Sequence, residues 1–368
     1  MLYQRVYLEK DRSLADSGEY TVDITPQDPI TVLWVKFQAV NGTTSNRSNT
    51  LASAINSIEV IDGADVLFSL DGYQAFALAA DHMGHLPSMI VDEDASQIQT
   101  VSLPIFFGRR VGDTQLAFDP KRFRNPQVRV NWNLGNGNGV AATGWTTATM
   151  QLTILAEVMS GAPLPGGVLS AKERYTYVTA AGATEYIEMP TDEVWRKIQL
   201  RGFLAQNPWH WIYDVVKLSC DGGKYTPLDM RGWDMLNQLS MSHPRFNYVM
   251  KGRAVNGNNM DLVLMHEESI SPVSDGTGDT VYEIVYNGGG RVTLGIQTGG
   301  VAAAGNVNYY APVMGYIPFK ALTVPLGKQD EIDDWFPAPT FGSIRLEVRG
   351  GVALAANSIA LQTLRIYQ

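Results

Sequence analysis

The sequence of 368 residues holds a single cysteine, Cys220. No disulfide can form within the chain, so a packed core must hold the fold together. Positive charge is scarce too: 28 lysines and arginines stand against 37 acidic residues, a net charge of −9. That balance excludes wrapping nucleic acid by bulk charge, because phosphate binding needs a basic face. No apolar run approaches the roughly 18 residues of a membrane-crossing helix. The opening stretch MLYQRVYLEKD has neither the apolar h-region nor the small-residue cleavage site of a secretory signal. Catalytic signatures are missing as well, with no G-x-S-x-G elbow and no glycine loop ending in G-K-[ST].

What is abundant is turns between short apolar runs. The chain has 35 glycines and 18 prolines, is 45% apolar and only 18% charged. Such a composition folds, and it points to an all-β protein with many turns, long enough for two domains.

The organising stretch is Ser57 to Met83, SIEVIDGADVLFSLDGYQAFALAADHM. Two apolar runs flank an Asp62-Gly63 turn, the signal of a hairpin. After Asp71-Gly72, the residues Tyr73, Phe76, Ala77 and Ala80 fall at the spacing of one helix face. The same plan returns from Asp214 to Met241, with Gly63 matched by Gly223 and Gly72 by Gly232 at an offset of 160. Trp233, Leu236 and Leu239 carry the second helix face. Tyr20 to Ala39 is mirrored by Tyr186 to Ala205 at an offset of 166, setting Phe37 over Phe203. Leu103-Pro104 is echoed by Val324-Pro325, Val128 to Val130 by Ile344 to Leu346, and Met150 to Leu155 by Ile359 to Leu364. Five echoes in one order indicate a duplication.

Residues 1–160 are expected to form the first unit and 172–368 the second. Residues 161–171 join them, and Ser160 to Gly167, SGAPLPGG, has linker composition. Met1 to Leu8 reads as a β-prone arm. The second copy holds about 61 extra residues, at about 247–314, punctuated by Asn256-Gly257-Asn258, Asp275 to Gly278, Gly288 to Gly290 and Gly299-Gly300. A large insertion on one face of a β-scaffold is expected to project and carry function. About eight strands per copy fit two tandem jelly-roll sandwiches, a double jelly roll, with short helices in the loops.

The basic residues concentrate in one place only: Arg109, Arg110, Lys121, Arg122 and Arg124. They either face an anionic partner or a subunit interface, or pair as a solvated loop with Asp113 and Asp119. His82-x-x-His85 has the spacing of two imidazoles on adjacent helical turns, but no third ligand is near and Gly84 ends the helix. Asp92 to Asp94 and Asp330 to Asp334 are acidic clusters without calcium-loop spacing. Trp209 and Trp211 flank His210 and read as core or interface. Gly135 to Gly139 reads as a turn between strands, and the sequons at Asn41 and Asn46 as ordinary loops. Cys220 is expected to be buried and inert. No catalytic residue, metal or cofactor is expected.

The strand DPITVLWVKFQA, SLPIFFGRR with FDPKRFRNPQVRV, and the repeated strand-turn-helix together resemble the major capsid proteins of tailless icosahedral viruses in the double jelly-roll lineage. The short chain looks like the smaller bacterial-virus members. The resemblance implies a non-enzymatic virion protein, a homotrimer whose six jelly rolls form a pseudo-hexameric tile of an icosahedral capsid. It implies neighbouring capsomers, penton and minor capsid proteins as partners, and an internal membrane or genome at the inner surface. It also implies assembly in the host cytoplasm. The competing expectations are a glycan-cleaving hydrolase with tandem jelly rolls and a lectin-like binding protein that uses the insertion.

Overall fold

The computed structural model describes the backbone of residues 1–44, 46, 50–136, 139–140, 144–204, 207–243, 245–255, 260–263, 273–274, 279–285, 291–298, 301–302 and 306–367, and their side chains outside 253–309 and 311. The first half runs β1 (Leu2–Ser13), β2 (Ser17–Asp23), β3 (Ile30–Val40), β4 (Ile55–Asp62), β5 (Asp65–Leu70), helix α1 (Gly72–Met83), β6 (Met89–Ile90), β7 (Ile98–Phe106), β8 (Pro126–Asn133) and β9 (Gln151–Ser160). The second half opens with β10 (Gly167–Val178), β11 (Thr184–Met189), β12 (Val194–Phe203), α2 (Trp209–Ile212), β13 (Tyr213–Cys220), β14 (Tyr225–Arg231) and α3 (Gly232–Ser242). The inserted strands are β15 (Phe246–Val255), β16 (Met260–Val263), β17 (Val273–Ser274), β18 (Asp279–Val285), β19 (Arg291–Thr298), β20 (Val301–Ala302) and β21 (Asn306–Gly315). It closes with β22 (Ala321–Pro325), β23 (Ile344–Gly350) and β24 (Ala356–Ile366).

Each half is a sandwich of two antiparallel sheets in one and the same order. The first pairs β1-β9-β3-β7 and β2-β8-β4-β5; the second pairs β10-β24-β12-β22 and β11-β23-β13-β14. That order, with every strand counted in from the chain start, is the jelly roll. The fold is a double jelly roll. One feature had no sequence signal: β5 and β10 pair in parallel through Phe68 with Ala171 and Ser69 with Lys172. This seam fuses two sheets into one of eight strands.

Irregularities of register repeat between the halves. β1 skips a residue between Tyr7 and Glu9 against β9, and β10 does so between Glu173 and Tyr175 against β24. β3 skips between Ile30 and Val32, and β12 between Trp195 and Lys197. A bulge adds one residue to one strand, so matching bulges fix the alignment more firmly than matching side chains. They place β1 over β10 at an offset of 166, but β3 over β12 at 165. Phe37 therefore matches Gly202, and the expected match to Phe203 is one residue out; the slip puts the two rings on opposite faces. Val128 matches Leu346 and not the expected Ile344, two residues away on the same face, since Val60 and Leu218 are their respective partners.

The expected helices form and begin at the expected glycines. Asp71 caps α1, its carboxylate accepting from the Gln74 amide while the Gln74 side chain accepts from the Asp71 amide. Gly84 ends it in the left-handed conformation at φ 69°. A Cβ on Gly72 would strike the Ala52 carbonyl oxygen, and one on Gly232 the Tyr213 carbonyl oxygen, so each strand-to-helix corner is too tight for a side chain. Of the expected α3 face, Leu239 is buried and Leu236 packs on the core beside Met235, whereas Trp233 is 53% exposed.

Two cores follow the two halves. Phe37, Phe76, Phe107, Phe118 and Trp145 anchor the first, and Trp195, Trp209 and Tyr213 the second. The Met1 to Leu8 arm is instead part of β1, paired with β9 from Leu2 to Ser13. Pro104 lies where β7 has passed the end of two-residue β6, so its missing N–H costs no ladder there. In the inserted segment, β15 and β21 pair from Phe246 with Gly315 to Val255 with Asn306. Its glycine-rich turns at Asn256 to Asn258, Asp275 to Gly278, Gly288 to Gly290 and Gly299-Gly300 lie outside the described residues.

Candidate interaction site

α1 lies between the sandwiches and carries polar groups on the side that meets β12, β10 and β24. Asp71 accepts from Arg201 at 3.2 Å. Gln74 donates to Glu173 at 2.7 Å and to Ser358 at 2.8 Å, and its carbonyl accepts from Gln199 at 3.2 Å. Asp81 pairs with Lys197 and accepts from His243 at 3.2 Å. Burial alone would push the Asp81 carboxyl up, but Lys197 and His243 hold it down to about 2. His82 stacks on Phe106 with ring centroids 4.0 Å apart. Its burial, with Lys197 and Arg196 nearby, drives its pKa well below the ordinary imidazole value. His82 is thus a neutral packing group, and His85 lies beyond the helix end and is exposed. Among the described residues no group of three potential metal ligands occurs.

The five basic residues split. Arg109 is an internal tie: it pairs with Asp113 at 2.8 Å and donates to Gln115 at 2.5 Å and to the Asp330 carbonyl at 2.7 Å. It joins the loop after β7 to the loop after β22. Arg110 next to it is exposed. Lys121 stands 3.8 Å from Asp28 and is 55% exposed. Arg122 lies 3.6 Å from Asp119 and covers the Tyr367 ring at 5.7 Å. Arg124 is exposed, and its backbone N–H donates to Asp62 at 3.2 Å. Nearby carboxylates therefore answer three of the five.

The acidic clusters are structural ties. Asp92 pairs with Lys251 at 2.9 Å, and the Glu93 amide and Val91 carbonyl bond the Lys251 backbone, fastening the inserted segment to the first sandwich. In the second cluster, Lys328 pairs with Glu331 and its amide donates to Asp334. Trp209 is fully buried, stacked on Tyr213 and donating to the Leu200 carbonyl, whereas Trp211 is 49% exposed. Cys220 is fully buried, and burial raises its thiol pKa. Residues 137 and 138 of the Gly135 to Gly139 turn, and 47 and 48 of the second sequon, lie outside the described residues.

Sequence reading missed the surface features that stand out here, which are open sheet edges bearing apolar groups. Leu2, Tyr3 and Tyr7 on β1, Tyr186 on β11, and Tyr225 on β14 with Trp233 beyond it are all at least half exposed. Their signal is the contrast between equivalent strands in the two halves, which appears only once the register is known.

Neither a protein-family model nor a curated protein matches the chain. Solved structures do. The major capsid protein of bacteriophage PM2 aligns over 100% of this chain and 98% of its own, at 10% identity and a TM-score of 0.55. The major capsid protein of Sulfolobus turreted icosahedral virus aligns over 100% and 97%, at 8% identity and a TM-score of 0.63. The PBCV-1 virus capsid structure aligns over 99% and 93%, at 9% identity and a TM-score of 0.56. The chain shares with these capsid proteins the double jelly-roll fold, from end to end.

Proposed function

We propose that the chain is a major capsid protein, a structural virion component whose homotrimers form pseudo-hexameric capsomers tiling an icosahedral shell. The observation that carries this reading is the fusion of two sandwiches of identical strand order by the β5–β10 seam. One chain thus offers two nearly equivalent building units side by side, and three chains offer six. The units are taken as residues 1–160 and 172–368 joined by 161–171, with β10 beginning inside the joint at Gly167. The full-length likeness to capsid proteins of dissimilar sequence supports the same reading. Assembly takes place in the host cytoplasm. Neighbouring capsomers are the first partners, and penton and minor capsid proteins complete the shell. The segment at about 247–314 projects as a tower from the second unit. The exposed members of the basic set, Arg110, Lys121 and Arg124, face an anionic neighbour, membrane or genome at the inner surface. Electron microscopy of the purified protein tests the proposal. Compact particles of hexagonal outline, or shells, are expected; single two-lobed particles that release sugars from glycans would replace it with the hydrolase.

A further inference from the structure

β1 and β14 are outermost strands of their sheets, whereas their counterparts β10 and β5 meet inside the chain. The bulge register sets β1 on β10 at 166, and the strand-helix corner sets β5 on β14 at 160. Burial records the difference. Val168 and Leu169 are 0% and 2% exposed, but Leu2 and Tyr3 at the same positions are 71% and 53% exposed. Tyr73 packs on Phe319 at 4.6 Å under the Arg201 guanidinium, but its counterpart Trp233 is 53% exposed. Each chain therefore carries both halves of a second seam, unjoined and at opposite ends.

We propose that β14 of one copy pairs in parallel with β1 of a second copy in the register the chain uses internally, Leu228 opposite Arg5 and Asp229 opposite Val6. This names the surface of the capsomer and rests on the trimer reading above. Such a contact is heterologous: it closes into a ring only at a fixed number of copies, which is three if six units complete a turn.

The local chemistry fits. Pro227 lacks an N–H, and a proline on an edge ordinarily blocks strand addition. The internal seam, however, starts at Phe68, one residue after the Pro227 counterpart Leu67, so the proline limits the pairing without preventing it. Ser170 donates to the Leu67 carbonyl at 2.6 Å, and Gln4 holds the position of Ser170 with an amide donor for the Pro227 carbonyl. Asp229 is exposed and stands opposite Val6, on the face of the seam away from Arg5. Asp234, in the place of Gln74, meets Tyr7 in the place of Glu173, acceptor to donor. Lys36, in the place of Arg201, reaches the Trp233 ring. Arg231 is the exception, a cation where the internal seam has Asp71, and the Asp234 carboxylate on the same turn offsets it.

The test is a paired cysteine variant, Arg5→Cys with Leu228→Cys, in the full chain. Neighbouring strands hold opposed residues at a separation a disulfide can span, and buried Cys220 does not compete. Mild oxidation should give covalent dimers and trimers on a non-reducing gel, and neither single variant should. A wild-type trimer by light scattering with no covalent product would overturn the β14–β1 join while leaving the capsomer reading intact. A wild-type monomer would overturn both.

Discussion

Lys197 and Asp81 form a buried pair where α1 meets β12, with side chains 5% and 10% exposed. Removing one partner strands the other charge, so Lys197→Met should cost about 3–5 kcal/mol in urea unfolding, whereas Lys197→Met with Asp81→Leu should recover much of that loss. The same residues set the response to acid. The carboxyl of Asp81 is held at about 2 in the folded chain, below its unfolded value of ~3.9. Its contribution is therefore complete above that unfolded value and is lost as pH falls through about 2. His82 acts earlier. Its folded pKa lies well below the ordinary imidazole value, so the unfolded chain gains a proton first and stability drops as pH falls below ~6.5. His82→Phe keeps the stack on Phe106 and should flatten the loss of unfolding midpoint between pH 7 and 5. The decline should not vanish, because burial also lowers His210. An unchanged pH slope would remove His82 from this role.

At the scale of elements, the two strand-to-helix corners make matched predictions. Gly72→Ala and Gly232→Ala each push a Cβ into a carbonyl oxygen and should each destabilise by about 1–3 kcal/mol, read from denaturant midpoints. An effect at only one corner would break the equivalence of the halves. The inserted segment gives another. Gly252 and Tyr309 face each other across the β15–β21 ladder, so replacing 253–308 with an Asn-Gly turn should close a hairpin and leave both sandwiches folded. Collapse of the far-ultraviolet circular dichroism in that deletion would show that the insertion is part of the core. These corners and strands were legible in the sequence because local rules place them: alternation marks the strands, Asp71-Gly72 marks the helix start, and Gly84 its end. The β3–β12 echo was one residue out because the shared bulge that fixes the alignment leaves no mark in the residue types. Trp233 was assigned to a buried face because helical spacing says which residues share a face, not which face meets the core.

The junction between the sandwiches was not legible at all. A two-residue parallel seam leaves no periodic trace, and its partners lie 103 positions apart, as Phe68 and Ala171 do. Arg109 shows the same limit, since a cluster in sequence became an internal tie to Asp330, 221 positions away. What the junction establishes at the scale of the molecule is that two jelly rolls are held edge to edge by backbone pairing, by α1 and by buried polar contacts. Three such molecules joined through the remaining edges would make a six-unit ring, and obligate contacts of that kind bury roughly 2,000 Å² or more each. The measurement that bears most directly on this is the light-scattering mass of the purified chain at micromolar concentration. A mass near three times 40.4 kDa, or that of a larger shell, is expected. A stable monomer of 40.4 kDa would contradict it.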